Sequence, residues 1–317
     1  MSQPKLLREL TLAPAEHPHG RTHLSAASAL VRVAEHLYVV ADDELQLGVF
    51  GVDSGHGRLL PLFDGDLPLD QAARKAAKPD LETLALLPAI PGHAQGALLA
   101  LGSGSTPRRQ RGVLLGLEEG ARPRQIDLAP LYLPLRRHFT DLNIEGGFLL
   151  GEEFLLLQRG NQGGSPNAVL RYAWAPLRDW LLGMGPLPQP PGIQALDLGE
   201  LGGVALGFTD GAALGEGRWL FSAAAENTSD SYNDGACLGS LIGLVEADGR
   251  LQRLAELEGH WKVEGIALAA DGSLLMVTDA DDPALAASLL ELRLTATAAE
   301  PVRRPAPPSP NPPPALR

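Results

Sequence analysis

Cysteine occurs once, at Cys237, so no internal disulfide braces the chain and the fold must rest on packing. A lone thiol agrees with a reducing compartment and is expected to be a bystander. Long apolar runs are missing as well, and nothing approaches the roughly 20 residues a membrane-crossing helix needs. The opening MSQPKLLRELTL lacks an apolar stretch followed by a small-residue cleavage site, so no secretory signal is expected and the expected location is the cytoplasm. Positive charge is scarce: 26 Lys and Arg face 38 Asp and Glu, a net charge of −12. Nucleic acid and anionic membrane are thereby disfavoured as partners, because both are held by cationic footprints; a small-molecule ligand or substrate is expected. No GxSxG elbow, P-loop or strand-linked GxGxxG occurs, which removes support for serine-hydrolase and nucleotide-fold chemistry.

Long helical periodicity is scarce too, and short apolar runs alternate with Gly, Pro, Asp and Asn. The fold class is therefore all-β. Asp248-Gly249 and Asp271-Gly272 lie between apolar runs, where a tight hairpin needs residues tolerant of positive φ. Short helices are expected over 69–77 and 176–182.

Self-similarity at a period above 50 residues gives five units. The first holds strands at 29–33, 36–41, 45–52 and 58–63. The second holds 81–87, 97–101, 112–117 and 125–128. The third holds 144–150, 154–158, 168–174 and a strand near 194–198. The fourth holds 210–214, 219–225, 240–246 and 251–257. The fifth shows three, at 263–269, 274–278 and 288–294. Four antiparallel strands per unit make a propeller blade, and the segment 6–12 can supply the missing outer strand of the fifth, closing the ring and covering its edges. A five-bladed β-propeller over residues 1–300 is expected, with six blades as the alternative if 177–198 hides a degenerate unit. Residues 301–317, rich in proline and poor in large apolar residues, are expected to be a disordered tail.

The first strand of each blade lines the central channel. One polar residue recurs at an equivalent position there: Ser28, Glu82, Glu145, Asp210 and Glu264. Two carboxylates about 6 Å apart repel by roughly 3 kcal/mol at an effective dielectric of about 20. The ring therefore needs compensation by protonation, by a lysine or by a cation. A hard cation with six to eight oxygen ligands suits it, and Ca2+ tolerates loose spacing better than Mg2+. The competing expectation is that these acids bind main-chain amides or Lys78 and Lys262. A second ring lies where the second strands leave the channel: Asp42 and Asp43, Ser103, Arg159, Glu226 and Asp279, with Asn161, Asn227, Asp230, Asp234, Asp281 and Asp282 nearby. The expected mouth is acidic, with Arg159 as its isolated cation. The cluster Arg108, Arg109 and Arg111 is expected on an exposed hairpin, and His17, His19 and His23 in a solvated loop. The polar string 225–235 lacks the glutamate that closes an EF-hand loop.

The strings KPDLETLALL, LNIEGGFLLGEEFLLLQRGN, TDGAALGEGRWLFSAAAENTSDSYNDG and WKVEGIALAADGSLLMVTDADDP resemble a bacterial propeller family distantly similar to the phytase-like propeller domain that carries an esterase-like label. The channel order also resembles calcium-activated apyrase. That likeness implies Ser28, Glu82, Glu145, Asp210 and Glu264 as a calcium shell, with Asp210 standing where the family has a serine.

Three functions remain open. One is a calcium-centred hydrolase of phosphoesters, with Arg159, Asp42 and Asp279 as catalytic groups and Asp43, Asn161, Glu226 and Asp281 on the ligand. Another is a non-catalytic scaffold or sensor stapled by calcium. The last is a lactone or sugar-acid hydrolase with Asp42 or Asp279 as general base.

Overall fold

The computed structural model describes residues 2–53, 55–228 and 235–294. Five antiparallel sheets follow one another along the chain, as the repeat predicts. Blade one is Ala27–Val33, His36–Ala41, Gln46–Gly51 and Arg58–Pro61; blade two is Leu81–Leu87, Ala97–Gly102, Arg111–Gly116 and Arg124–Asp127. Blade three is Ile144–Leu150, Glu153–Gln158, Ala168–Ala173 and Gly192–Ala195. Blade four is Val204–Gly215, Arg218–Glu226, Cys237–Val245 and Leu251–Glu256, with a two-residue strand Glu200–Leu201 added beside its first strand. Blade five is Lys262–Leu268, Leu274–Asp279 and Ser288–Leu292, completed by Lys5–Glu9 from the other end of the chain. The segment 177–198 is taken up by the helix Trp174–Leu181 and the outer strand of blade three, so a sixth sheet is absent among the described residues.

Why the ring closes is visible in the packing. Alternation along each strand gives two apolar faces, and each face meets the next blade. The five buried apolar clusters each join two neighbouring blades, and one of them joins blade five to blade one around Phe50, Leu275 and Leu289. Blade four contributes the densest aromatic packing, with Trp219 within 5.4 to 6.1 Å of Phe148, Phe208 and Phe221, centroid to centroid.

The inner strands approach so closely near the axis that a side chain is excluded at some positions. A Cβ on Gly265 would sit 2.8 Å from the Cα and carbonyl carbon of Ala29 in blade one, which is backbone and cannot swing away. Gly265→Ala is expected to cost about 1–3 kcal/mol in urea unfolding. Gly192→Ala, where nothing lies within 4 Å, should stay near the parent; equal effects at the two positions would contradict tight closure of blades five and one.

The hairpin glycines Gly249 and Gly272 adopt φ of 82° and 84°, as the two Asp-Gly pairs predict. The insertion between blades one and two forms the helix Gln71–Ala77, capped by the Asp70 carboxylate on the Ala73 amide. It places Lys75 and Lys78 at one mouth of the channel. The tail 301–317 lies outside the described residues, as do Asp230 and Asp234.

Candidate functional site

In every blade the pairing of the first two strands slips by one residue near the channel mouth. The bulged residues are Ser28, Glu82, Glu145, Thr209 and Glu264. A bulge bends the strand and re-aims the extra side chain, and here it does so five times around one axis. Four of the five expected ring residues stand at this position. The fourth is corrected from Asp210 to Thr209, because blade four's inner strand starts at Val204, six residues before the expected start, and bulges one residue earlier than the ring spacing implied. Asp210 belongs to the next layer. It accepts hydrogen bonds from the amides of Gly211 (2.7 Å) and of Ile266 in blade five (2.9 Å), and it does not line the cavity at the mouth. Burial without a paired cation among the described residues holds its carboxyl well above the usual range.

Strand alternation puts the residues two before each bulge on the same channel face. They are Ala26, Asp80, Asn143, Gly207 and Lys262, so an acid, an amide and a base sit directly above the ring. Gly207 is the gap in this layer. A Cβ there would come within 2.9 Å of Arg159 Cγ, so the glycine leaves the corridor through which Arg159 reaches across from blade three.

The second-strand exits complete the mouth. Asp42, Asp43, Arg159, Glu226 and Asp279 all line one cavity of about 240 Å³ together with Ser28, Glu82, Glu145 and Glu264. Asn161 and Asp281 line it too, whereas Ser103 lies beneath, its hydroxyl bonded to Asp80. The lining holds ten acids and seven bases, so Arg159 is not the isolated cation the sequence suggests. Its guanidinium lies 3.2 Å from Glu145, 2.6 Å from Glu226 and 3.6 Å from Glu264. Lys262 lies 2.7 Å from Asp281, 3.5 Å from Glu264, 3.6 Å from Asp279 and 3.7 Å from Glu226. Lys78 pairs with Asp42 and, at 2.9 Å, with Asp80, which also takes Arg109 at 2.9 Å. Much of the positive charge that the ring requires therefore comes from the chain itself, as the competing expectation had it for Lys78 and Lys262.

Two residues of this mouth, Asp80 and Asp281, carry positive φ of 58° and 53°. Aspartate tolerates that region better than most residues, and holding it here turns each carboxylate onto a buried lysine. Asp43 faces the helix side, accepting from Arg21 and Arg74. Asn161 spends its side chain on Asp141 and Ser165 and so fixes a loop of blade three.

Burial dominates the titration of Asp42, Glu82, Glu145, Glu264 and Asp279. It pushes Asp42 up to about 6, with Lys78 pulling the other way. It pushes Glu145 up to about 8 despite Arg159, with Glu264 and Asp80 adding repulsion. Glu82 stands well above the usual range, raised by burial and by Glu145, Asp80 and Asp42, with Lys78 pulling the other way. Glu264 and Asp279 are raised, chiefly by burial. Arg159 and Lys262 stay charged: burial opposes them, but the surrounding carboxylates raise both.

Several polar groups behave otherwise than their sequence setting suggests. Arg109 is buried, because the short turn Pro107–Arg109 carries it inward to Asp80 and Ser105. His17 is also buried, 3.1 Å from Glu44, which in turn takes Arg74 at 2.9 Å; His19 remains exposed. Lys78, Asp80, Arg109 and Lys262 are the site residues that ring spacing alone does not deliver. For Asp80 and Lys262 the available signal was the two-residue offset from Glu82 and Glu264.

Carboxylates of Asp42, Asp80 and Glu82 bring ligand oxygens within 4.8 Å of one another. Both oxygens of buried Glu264 lack a hydrogen-bond partner in the described structure. The donor set is hard oxygen and fits a cation such as Ca2+ by type. The hydroxyls of the ring are otherwise engaged: Ser28 bonds the Ala26 carbonyl and the Asp42 amide, and Thr209 bonds the Val263 carbonyl.

No curated protein matches the chain. Among solved structures it is similar to a provisionally named glycoside hydrolase from Parabacteroides distasonis, at 10% identity and a TM-score of 0.50 over 92% of this chain and 96% of that one. It is also similar to an exo-β-1,3-galactanase from Phanerochaete chrysosporium, at 8% identity and a TM-score of 0.49 over 95% and 67%. A provisionally named gluconolactonase aligns at 12% identity and a TM-score of 0.41 over 93% and 92%. At these identities the likeness is one of fold. The model of the "Family of unknown function (DUF6929)" matches residues 23–294, from the start of blade one to the end of blade five, and the chain belongs to that family.

Proposed function

We propose that the channel mouth binds a small, hydroxyl-rich molecule and hydrolyses a lactone or ester bond in it by acid–base chemistry. One observation carries this. Asp42 and Glu145 line the same cavity with carboxyls pushed to about 6 and about 8, each beside a buried cation, Lys78 and Arg159. Near neutral pH the first is an ionised base and the second a neutral acid, the division of labour acid–base hydrolysis needs. Asp42 takes a proton from water as its oxygen attacks the carbonyl carbon. Glu145 gives a proton to the alkoxy oxygen as the carbon–oxygen bond breaks, and Lys78 offsets the charge developing nearby. Alternating carboxylates and cations suit hydroxyls, which both donate and accept. Phosphoester chemistry fits less well, because Arg159 and Lys262 are already held by glutamates and aspartates.

The Asp42–Asp80–Glu82 group favours a second reading, in which a divalent cation such as calcium sits on these oxygens and Lys78 withdraws. It would then polarise a substrate carbonyl or staple the blades. A turnover panel of sugar lactones, aryl esters and phosphomonoesters, run with chelator and with calcium, tests both. Lactone or ester turnover unaffected by chelator is the expected result. Turnover only with calcium overturns the metal-free mechanism, and calcium-raised melting without any turnover supports the scaffold.

A further inference from the structure

The mouth does not end at the first cavity. A second, of about 470 Å³, opens between blades three and four and shares Arg159, Gly160, Asn161, Glu226 and Thr228 with the first. The shared wall is thus built around the 2.6 Å Arg159–Glu226 ion pair. On its far side stand Ala195, Asp197 and Ala205.

The second cavity is constructed rather than left over. Asn167 staples its walls together: its carbonyl oxygen accepts from the Gly160 amide (2.8 Å) and the Phe208 amide (3.0 Å), and its amide nitrogen donates to the Leu206 carbonyl (2.7 Å). One side chain therefore ties a loop of blade three to the inner strand of blade four. Side chains are excluded where the two cavities meet. A Cβ on Gly160 would lie 2.8 Å from the Asn167 backbone nitrogen, and one on Gly207 would strike Arg159. Size points the same way. Small-molecule sites commonly measure roughly 300–1,000 Å³; the first cavity alone falls short of that, whereas the second, and the two together, fall inside it.

We infer that the substrate is a two-part molecule, a hydroxyl-rich head in the channel mouth joined to a second ring-sized group lying between blades three and four. The class is a disaccharide-sized lactone or sugar ester rather than a single ring. This rests on the hydrolase proposal for the head group only. The second cavity then sets specificity through the part of the substrate that does not react, and binding there orients the bond to be broken.

The test is calorimetric titration of the intact protein with glucono-δ-lactone and with cellobiono-δ-lactone as probes, on the parent and on Ala205→Trp. Ala205 is exposed, takes no part in the acid–base pair and lines the second cavity but not the first, so the substitution adds its bulk at the second cavity. The two-ring probe is expected to bind the parent at least tenfold more tightly than the one-ring probe. The substitution should remove that advantage and leave the one-ring affinity unchanged. Ala195→Phe, from the outer strand of blade three, should reproduce the effect if the tryptophan variant folds poorly. Equal affinities in the parent, loss of both probes in the variants, or binding of neither probe overturns the inference. Two-part binding without turnover of any ester would leave the inference standing and remove the hydrolase proposal. Turnover with no two-ring advantage would do the reverse.

Discussion

Arg159→Met is expected to lower the unfolding free energy by about 3–5 kcal/mol at pH 8 and by much less at pH 5. Methionine can occupy the corridor that Gly207 leaves open, so the loss isolates charge from volume. Without the guanidinium, Glu145, Glu226 and Glu264 lose the partner that sits 3.2, 2.6 and 3.6 Å away, and among the described residues only Lys262 remains as a cation paired with the last two. Glu145 and Glu264, already raised by burial, then titrate still higher in the folded state than in the unfolded one. A group whose folded value is raised makes the folded state the greater proton binder, so stability falls as pH climbs from the ordinary carboxylate range through the raised value. For Glu145 that window opens near 4.5 and, already in the parent, extends to about 8. Urea unfolding at pH 5 and pH 8 measures the difference. Arg171→Met serves as the comparison, because the Arg171–Glu153 pair lies on the surface and contributes about 0–1 kcal/mol. A loss of the same size at both pH values would show that Arg159 acts by packing, and the balance of charge at the mouth would need another explanation.

The architecture was legible because it is written in a period. Alternating strands, hairpin glycines and a spare strand at residues 6–12 led to five blades closed by the N-terminal strand, which the pairing of Lys5–Glu9 with Ser288–Leu292 bears out. Spacing also located Ser28, Glu82, Glu145 and Glu264, since a ring around an axis repeats wherever its blade repeats. It failed at blade four because the sequence there offers two adjacent polar residues, Thr209 and Asp210, and only strand pairing shows which one bulges. Arg109 and His17 were misplaced for a different reason. Both lie in connecting segments, whose inward or outward course depends on partners distant in sequence, Asp80 for the arginine and Glu44 for the histidine. The corridor at Gly207 is a fact of two blades meeting and leaves no local signature. What sequence spacing could not supply was the pairing of charges: it showed acids converging, left open whether a cation from solution or Lys78 and Lys262 would answer them, and did not foresee that Arg159 would join them.

Asp42→Asn separates function from stability in the opposite sense to Arg159→Met. Turnover of whichever lactone or ester the panel identifies is expected to fall about 10²–10⁴-fold, the usual contribution of a positioned general base. In the parent, activity should rise with pH through about 6 as Asp42 ionises and fall above about 8 as Glu145 loses its proton. The asparagine variant should lose the rising limb and keep the falling one, while Glu145→Gln should lose the falling limb. Stability is expected to move the other way. Asp42 titrates above its ordinary value near 3.8, so the parent loses stability as pH rises through the interval up to about 6, and the neutral amide does not. Lys78 keeps Asp80 at 2.9 Å, so its charge is not stranded by the change. The variant should therefore unfold at a urea concentration equal to or above that of the parent at pH 7.5, although nearly inactive. A carboxylate that costs stability where it stands, and whose removal abolishes turnover, is a group retained for chemistry rather than for the fold. Activity within threefold of the parent, with both limbs of the profile intact, would move the base elsewhere in the mouth, with Asp279 the next group to replace.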